Sequence, residues 1–169
     1  GSTGSIGKTL FKLLEKNKEN FEVVLLTSNK SHQTLLKQAN KLNVKNLIIS
    51  NQKSYELLTK KIKNRKIKIY NNYDCLNKIF KKKIDYTMSS ISGISGLEPT
   101  IKIIKFSKKI AIANKESIIC GWNLISKELK KYNTHFVPVD SEHFSIWYAL
   151  GNSKSNNLEK IFLTASGGP

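Results

Sequence analysis

Short apolar runs alternate with amphipathic stretches along the whole chain. Phe21-Glu22-Val23-Val24-Leu25-Leu26 reads as a buried strand, and a helix capped by Ser31 is predicted to run to about residue 42. Residues 46–50 predict a second strand, followed by a Lys-rich helix to about residue 63. The pattern continues with a strand at 67–70, a short helix at 74–80, a strand at 84–89 and a helix at 93–105. Pro99 is tolerated near the first turn of that helix, where a missing N–H is not needed. A strand at 109–113, a helix at 116–132, a strand at 135–139, a helix at 143–150 and a strand at 160–164 complete the series. Ahead of all these, Leu10, Leu13 and Leu14 mark one face of a helix that begins after Gly7.

This alternation predicts an α/β fold, a Rossmann-like doubly wound parallel sheet with helices on both faces. The 169 residues suffice for one domain and part of a second. The most linker-like stretch is 151–158, rich in Asn, Ser and Lys, so a boundary is expected within 140–158. No run approaches the roughly 18 apolar residues of a membrane-spanning helix. The two cysteines, Cys75 and Cys120, exclude a disulfide-rich scaffold and a Cys-x-x-Cys zinc site, and suit a reducing compartment.

Charge changes the picture next. Lysine and arginine number 29 against 12 acidic residues, a formal net charge of +17. Such a balance serves nucleic acid, a membrane surface or small anionic ligands. The lysines are dispersed from Lys8 to Lys160, with small clusters at Lys60-Lys61 and Lys81-Lys82-Lys83. There is no RNP-like aromatic motif and no Cys/His finger spacing. A basic nucleic-acid-binding domain stays as one reading beside solvated faces and small-anion binding.

Candidate chemistry gathers in four places. Gly1-Ser2-Thr3-Gly4-Ser5-Ile6-Gly7 precedes the first helix, and glycines three apart let a backbone approach a pyrophosphate held by helix N–H groups and dipole. A P-loop-like nucleotide site is the rival, because Gly7-Lys8-Thr9 matches the end of a Walker A loop; it fails at Ser2, where that loop requires Gly. The turn Thr27-Ser28-Asn29-Lys30 has no acid for ribose hydroxyls but offers a hydroxyl, an amide and a cation, which suits a 2′-phosphate. Ala113-Asn114-Lys115-Glu116-Ser117 follows a strand, at the edge where α/β sheets bind ligands, and also reads as an ordinary polar loop. In Pro138-Val139-Asp140-Ser141-Glu142-His143, two carboxylates two residues apart can converge on one hard cation, Mg²⁺ or Mn²⁺. Leu163-Thr164-Ala165-Ser166-Gly167-Gly168-Pro169 adds a turn whose N–H groups could hold a phosphate.

In this order the motifs resemble the 1-deoxy-D-xylulose 5-phosphate reductoisomerase family, and Ser90-Ile91-Ser92-Gly93-Ile94-Ser95-Gly96-Leu97 is similar to a further segment of it. The resemblance spans the chain. It implies an NADPH- and Mn²⁺- or Mg²⁺-dependent enzyme that rearranges 1-deoxy-D-xylulose 5-phosphate and reduces the product to 2-C-methyl-D-erythritol 4-phosphate, in non-mevalonate isoprenoid synthesis. By resemblance, Thr3, Gly4, Ser5 and Ile6 line the NADPH pyrophosphate, and Ser28, Asn29 and Lys30 hold its 2′-phosphate, although the family often has Gly at the first of these. Asn114 and Glu116 contact NADPH and Lys115 the substrate. Asp140 and Glu142 bind the metal, Ser141 and Glu142 also reach substrate, and Ser166 begins its phosphate site. Lys115, Asp140 and Glu142 are the expected catalytic groups.

The family has a strand before the first glycine that is absent here, and further site residues that would follow Pro169. The expectation is therefore an internal fragment: an NADPH-binding domain over 1–139 and the truncated opening of an α/β catalytic domain over 140–169. Alone it is expected to be inactive. The parent is expected to be a homodimer in the bacterial cytoplasm, or in a plastid-type organelle, without nucleic-acid or membrane partners.

Overall fold

Val, Ile and Leu runs bounded by polar turns become short parallel strands, and the stripes between them become helices. The computed structural model describes residues 1–62, 66–151 and 159–162. In chain order it contains α1 (Ser5–Lys16), β1 (Leu25–Ser28), α2 (His32–Lys41), β2 (Asn46–Ile49), α3 (Gln52–Lys61) and β3 (Lys68–Tyr70). A 3₁₀ turn (Tyr73–Cys75) leads into α4 (Leu76–Ile79) and β4 (Ile84–Ser89). A second 3₁₀ turn (Ile94–Gly96) leads into α5 (Leu97–Ile104), β5 (Ser107–Ile112), α6 (Lys115–Lys131), β6 (His135–Pro138) and α7 (Ser141–Leu150). Among the described residues no helix is long and apolar enough to cross a membrane.

The strands form two parallel three-stranded sheets, ordered β1-β2-β3 and β4-β5-β6. Leu26 lies opposite Leu47 and Ser28 opposite Ile49; Ser89 lies opposite Ile112, which in turn lies opposite Pro138. Each middle strand is covered on both faces, so β2 (Leu47, Ile48, Ile49) and β5 (Ile110, Ala111, Ile112) are unbroken apolar runs with no exposure. Leu26, Leu35, Leu47, Ile49 and Leu58 pack together beneath α2 and α3. Ile48 instead joins Leu76, Phe80, Ile104, Ile110, Ile112 and Ile125, so the two sheets share one apolar interior.

The expected doubly wound arrangement is thus present as two halves. Among the described residues no strand pairs β1 with β4. At their C-terminal ends the first residues of the chain bridge them: Ser2 N–H donates to Thr27 O at 2.9 Å, and Ser90 Oγ donates to Gly1 O at 3.3 Å. From β1 the chain passes to β2 and from β4 to β5, away from this bridge, and such reversals of strand order are where α/β sheets take ligands.

Four expectations shift. The first strand begins at Leu25 rather than at residue 21, because β2 begins at Asn46 and offers no earlier partner. Phe21 is exposed, and the segment 18–24 borders a polar cavity of about 540 Å³. Ser31 stands at the N-cap of α2 but makes no side-chain capping bond. The helix expected at 93–105 begins as a 3₁₀ turn after Gly93, whose φ of 69° suits glycine and breaks helical geometry. Residues 159–162 join no sheet, and the rest of the strand expected at 160–164 lies outside the described residues.

Candidate active site

The glycine-rich turn is held from both sides. Beyond the bonds to Thr27 and Ser90, Gly4 N–H donates to Gly1 O at 3.2 Å. A Cβ on Gly7 would run into the backbone of Gly1 and Ser2, so close packing explains that glycine. Gly4 is different: its φ of −74° suits any residue, and a Cβ there would meet only Gly1 O, at 3.5 Å. Nothing within the fold demands glycine at position 4, and its missing side chain leaves the backbone of the turn open to an approaching group. Gly4 is also the N-cap of α1, with no side-chain cap and no acid in the first turn. The Ser5 and Ile6 N–H groups at the exposed start of the helix have no partner among the described residues, as an anion site requires. Thr3, Gly4, Ser5 and Ile6 all lie on this turn.

The end of β1 touches it directly. Ser28 is buried, and its Oγ shares a 2.8 Å hydrogen bond with Thr3 Oγ1. Asn29 and Lys30 are exposed beside it. The structure brings one residue here that the sequence reading missed. Gln38 of α2 is only 3% exposed, and its Nε2 donates to Ser2 O at 2.9 Å.

At the end of β5, Asn114 caps α6 by accepting from Ser117 N–H at 3.0 Å. Its amide donates to Ile91 O and, at 2.7 Å, to Gly93 O. Side-chain Asn114 is thus a clamp between the β4–α5 and β5–α6 loops rather than an open arm. The next residues, Lys115 and Glu116, are exposed. Lys115 Nζ lies 3.8 Å from Glu142 Oε1.

At the end of β6, Asp140 caps α7. Its Oδ1 accepts from His143 N–H at 3.0 Å and pairs with His143 Nδ1 at 2.7 Å. The carboxylate is 7% exposed, and Oδ2 is buried without a partner among the described residues. Burial alone would raise the Asp140 pKa, but the two bonds from His143 outweigh it and hold the carboxyl below its usual range. Glu142 is also lowered, first by the Ser141 hydroxyl, which donates to Oε2 at 2.8 Å, then by its backbone and Lys115. Two ionised carboxylates with one unpartnered buried oxygen fit a hard divalent cation. Among the described residues no three His, Cys, Asp or Glu side chains converge as a complete metal set. Ser166 and the turn around it lie outside the described residues.

Three contacts thus link the clusters at the C-terminal ends of the strands: Gly1 to Ser90, Gly93 to Asn114, and Lys115 to Glu142. Comparison with known proteins fits this arrangement. Residues 1–121 match the family model of 1-deoxy-D-xylulose 5-phosphate reductoisomerase, and residues 136–169 match that of its C-terminal domain. The reductoisomerase of Pelagibacter ubique (strain HTCC1062) is 61% identical over all of this chain, which spans 44% of that protein. That of a Wolbachia pipientis strain is 42% identical, again over all of this chain and 43% of the relative. The solved Zymomonas mobilis reductoisomerase in complex with NADPH superimposes with a TM-score of 0.76 at 32% identity, over 85% of this chain and 38% of its own. A reductoisomerase in complex with NADPH, fosmidomycin and magnesium gives 0.76 at 27% identity, over 85% of this chain and 36% of its own. The chain spans less than half the length of these relatives, yet the match runs through every motif of the site: it belongs to the 1-deoxy-D-xylulose 5-phosphate reductoisomerase family.

Proposed function

We propose that this chain carries the NADPH-binding part and the first metal ligands of an enzyme that converts 1-deoxy-D-xylulose 5-phosphate to 2-C-methyl-D-erythritol 4-phosphate. The observation that carries this is the buried oxygen of Asp140 that has no partner among the described residues, beside the Lys115–Glu142 pair. The dinucleotide fits better than a P-loop nucleotide because the opening in the turn is at Gly4, while Ser2 stands where a P-loop needs glycine. A phosphorylated sugar and a polyanionic cofactor also give the net charge of +17 a use without nucleic acid.

In this reading the pyrophosphate lies along Thr3, Gly4, Ser5 and Ile6, with the N–H groups of Thr3, Ser5 and Ile6 binding it and Gly4 leaving room for its approach, and exposed Asn29 and Lys30 take the 2′-phosphate. Ser28 fixes the turn through Thr3 more than it reaches the ligand. Glu116 faces the cofactor from the start of α6, and Asn114 shapes the loops around it. Asp140 and Glu142 hold Mg²⁺ or Mn²⁺, Ser141 and Glu142 reach the substrate, and Ser166 begins the phosphate site. When bound, NADPH supplies the reducing equivalent and the metal the Lewis acidity that rearrangement of a hydroxyketone phosphate needs. Lys115 places positive charge where negative charge grows on the substrate oxygens, and Glu142 keeps that ammonium oriented. The division into 1–139 and 140–169, a homodimeric parent and a bacterial cytoplasmic setting belong to the same reading.

The test is steady-state turnover of the full-length protein with 1-deoxy-D-xylulose 5-phosphate, Mn²⁺ and either NADPH or NADH. Turnover favouring NADPH is expected. No turnover, or equal efficiency with both cofactors, rejects the assignment of the site or of its 2′-phosphate pocket.

A further inference from the structure

Gln38 lies in the second half of α2, at 3% exposure, where a long polar side chain is rarely found. Its only side-chain hydrogen bond among the described residues runs to Ser2 O, and its Oε1 is buried without a partner. Burying an amide is tolerated only where it is hydrogen-bonded. The contact to Ser2 is therefore what keeps this side chain inside. The bond also has a direction. In a trans peptide the C=O and the following N–H point to opposite sides. Drawing the Ser2 carbonyl toward α2 aims the Thr3 N–H away from it, and that N–H has no partner among the described residues. The second tie, Thr3 Oγ1 to Ser28 Oγ, fixes the same turn to the start of the β1–α2 connection.

We propose that Gln38 is a positioning residue for the dinucleotide, an inference that rests on the NADPH reading above. It sets the Ser2–Thr3 peptide so that the turn presents its N–H groups to the pyrophosphate, and it locks that turn to α2. The pyrophosphate is common to NADPH and NADH, so the effect of Gln38 does not depend on the 2′-phosphate.

The experiment is fluorescence titration of both dinucleotides into full-length Gln38→Met, with melting and circular dichroism as controls for folding. Expected is about a tenfold rise in Kd for NADPH and for NADH alike, the size of one directed hydrogen bond, with kcat at saturating NADPH unchanged. A folded Gln38→Met that binds NADPH as the unaltered protein does, or that loses NADPH but not NADH, overturns the proposal. Should Gln38→Met not fold, Gln38→Glu decides. Its protonated carboxyl can donate to Ser2 where the carboxylate cannot, so its affinity relative to the unaltered protein should improve from about pH 8 to about pH 5.5. A ratio flat across that range overturns the proposal. Failure of the unaltered protein to bind NADPH at all overturns the functional reading instead.

Discussion

Asn114 offers the sharpest test of how the site is built. Its side chain makes three hydrogen bonds at 3% exposure: one from Ser117 N–H, and two to the carbonyls of Ile91 and Gly93. Asn114→Ala removes an N-cap, for about 0.5–2 kcal/mol. It also leaves two carbonyls without donors, at up to about 1–3 kcal/mol each. Ile91 and Gly93 are only half-buried, so water replaces part of the loss. The expected cost is then about 2–4 kcal/mol, a large share of an ordinary stability of about 5–15 kcal/mol. The shift per kcal/mol shrinks with chain length, and at about 1–2 °C per kcal/mol for a protein more than twice the length of this chain, Tm should fall by about 2–6 °C. Asn114→Asp separates the cap from the clamp, because it keeps the oxygen that Ser117 needs but turns the donor into a second oxygen facing two carbonyls. Burial and those carbonyls raise the folded-state pKa of the new carboxyl above its unfolded value of about 3.9. A group raised in this way leaves stability intact below the unfolded pKa and forfeits it as pH rises through the folded one. Asn114→Asp should therefore melt near the unaltered protein at about pH 4 and well below it at about pH 8. Calorimetry of the full-length variants reads both effects. A drop under about 1 °C for Asn114→Ala, or a pH-independent deficit for Asn114→Asp, would refute the clamp.

Other expectations follow from single contacts. Gly4→Val should leave Tm within about 2 °C, since a Cβ there meets only Gly1 O at 3.5 Å, yet weaken NADPH at least about tenfold by filling the approach to the backbone; unchanged affinity would remove the argument from Gly4. Asp140→Asn and Glu142→Gln should each weaken Mn²⁺ binding by isothermal titration and abolish turnover, because a hard dication loses a charged oxygen. Normal Mn²⁺ affinity in either variant would free that carboxylate from the metal role. Lys30→Ala should raise the Kd of NADPH while sparing NADH, the opposite of the pattern expected at Gln38; equal loss of both would move the 2′-phosphate elsewhere.

What the sequence shows and what it hides divide along a physical line. Helices and parallel strands declare themselves by period and by β-branched runs, so the element order and the edge bearing the four motifs are legible. Strand ends are not, because pairing sets them: Phe21-Glu22-Val23-Val24 has the composition of a strand, but β2 begins only at Asn46. Clusters of chemically distinctive residues are legible too, since Asp140 and Glu142 or Asn114-Lys115-Glu116 announce chemistry by type and spacing. Which atoms remain free for a ligand is hidden. Asn114 reads as a cofactor contact, while the fold ties up its amide, and Ser28 reads as a phosphate ligand, while its hydroxyl faces Thr3. Gln38 reads as nothing, because an isolated glutamine on a helix is ordinarily solvated. Yet a signal was present. Leu35, Gln38, Ala39 and Leu42 fall at helical spacing on one face, with Gln38 in the middle of the apolar stripe. A polar residue at a core position must find a partner, and in a fold whose second helix packs behind the phosphate turn, the nearest unsatisfied backbone is that turn. A lone polar residue on a buried stripe is therefore a pointer to backbone that must be held in place, and the ligand site is where such backbone is most exposed to being pulled out of shape.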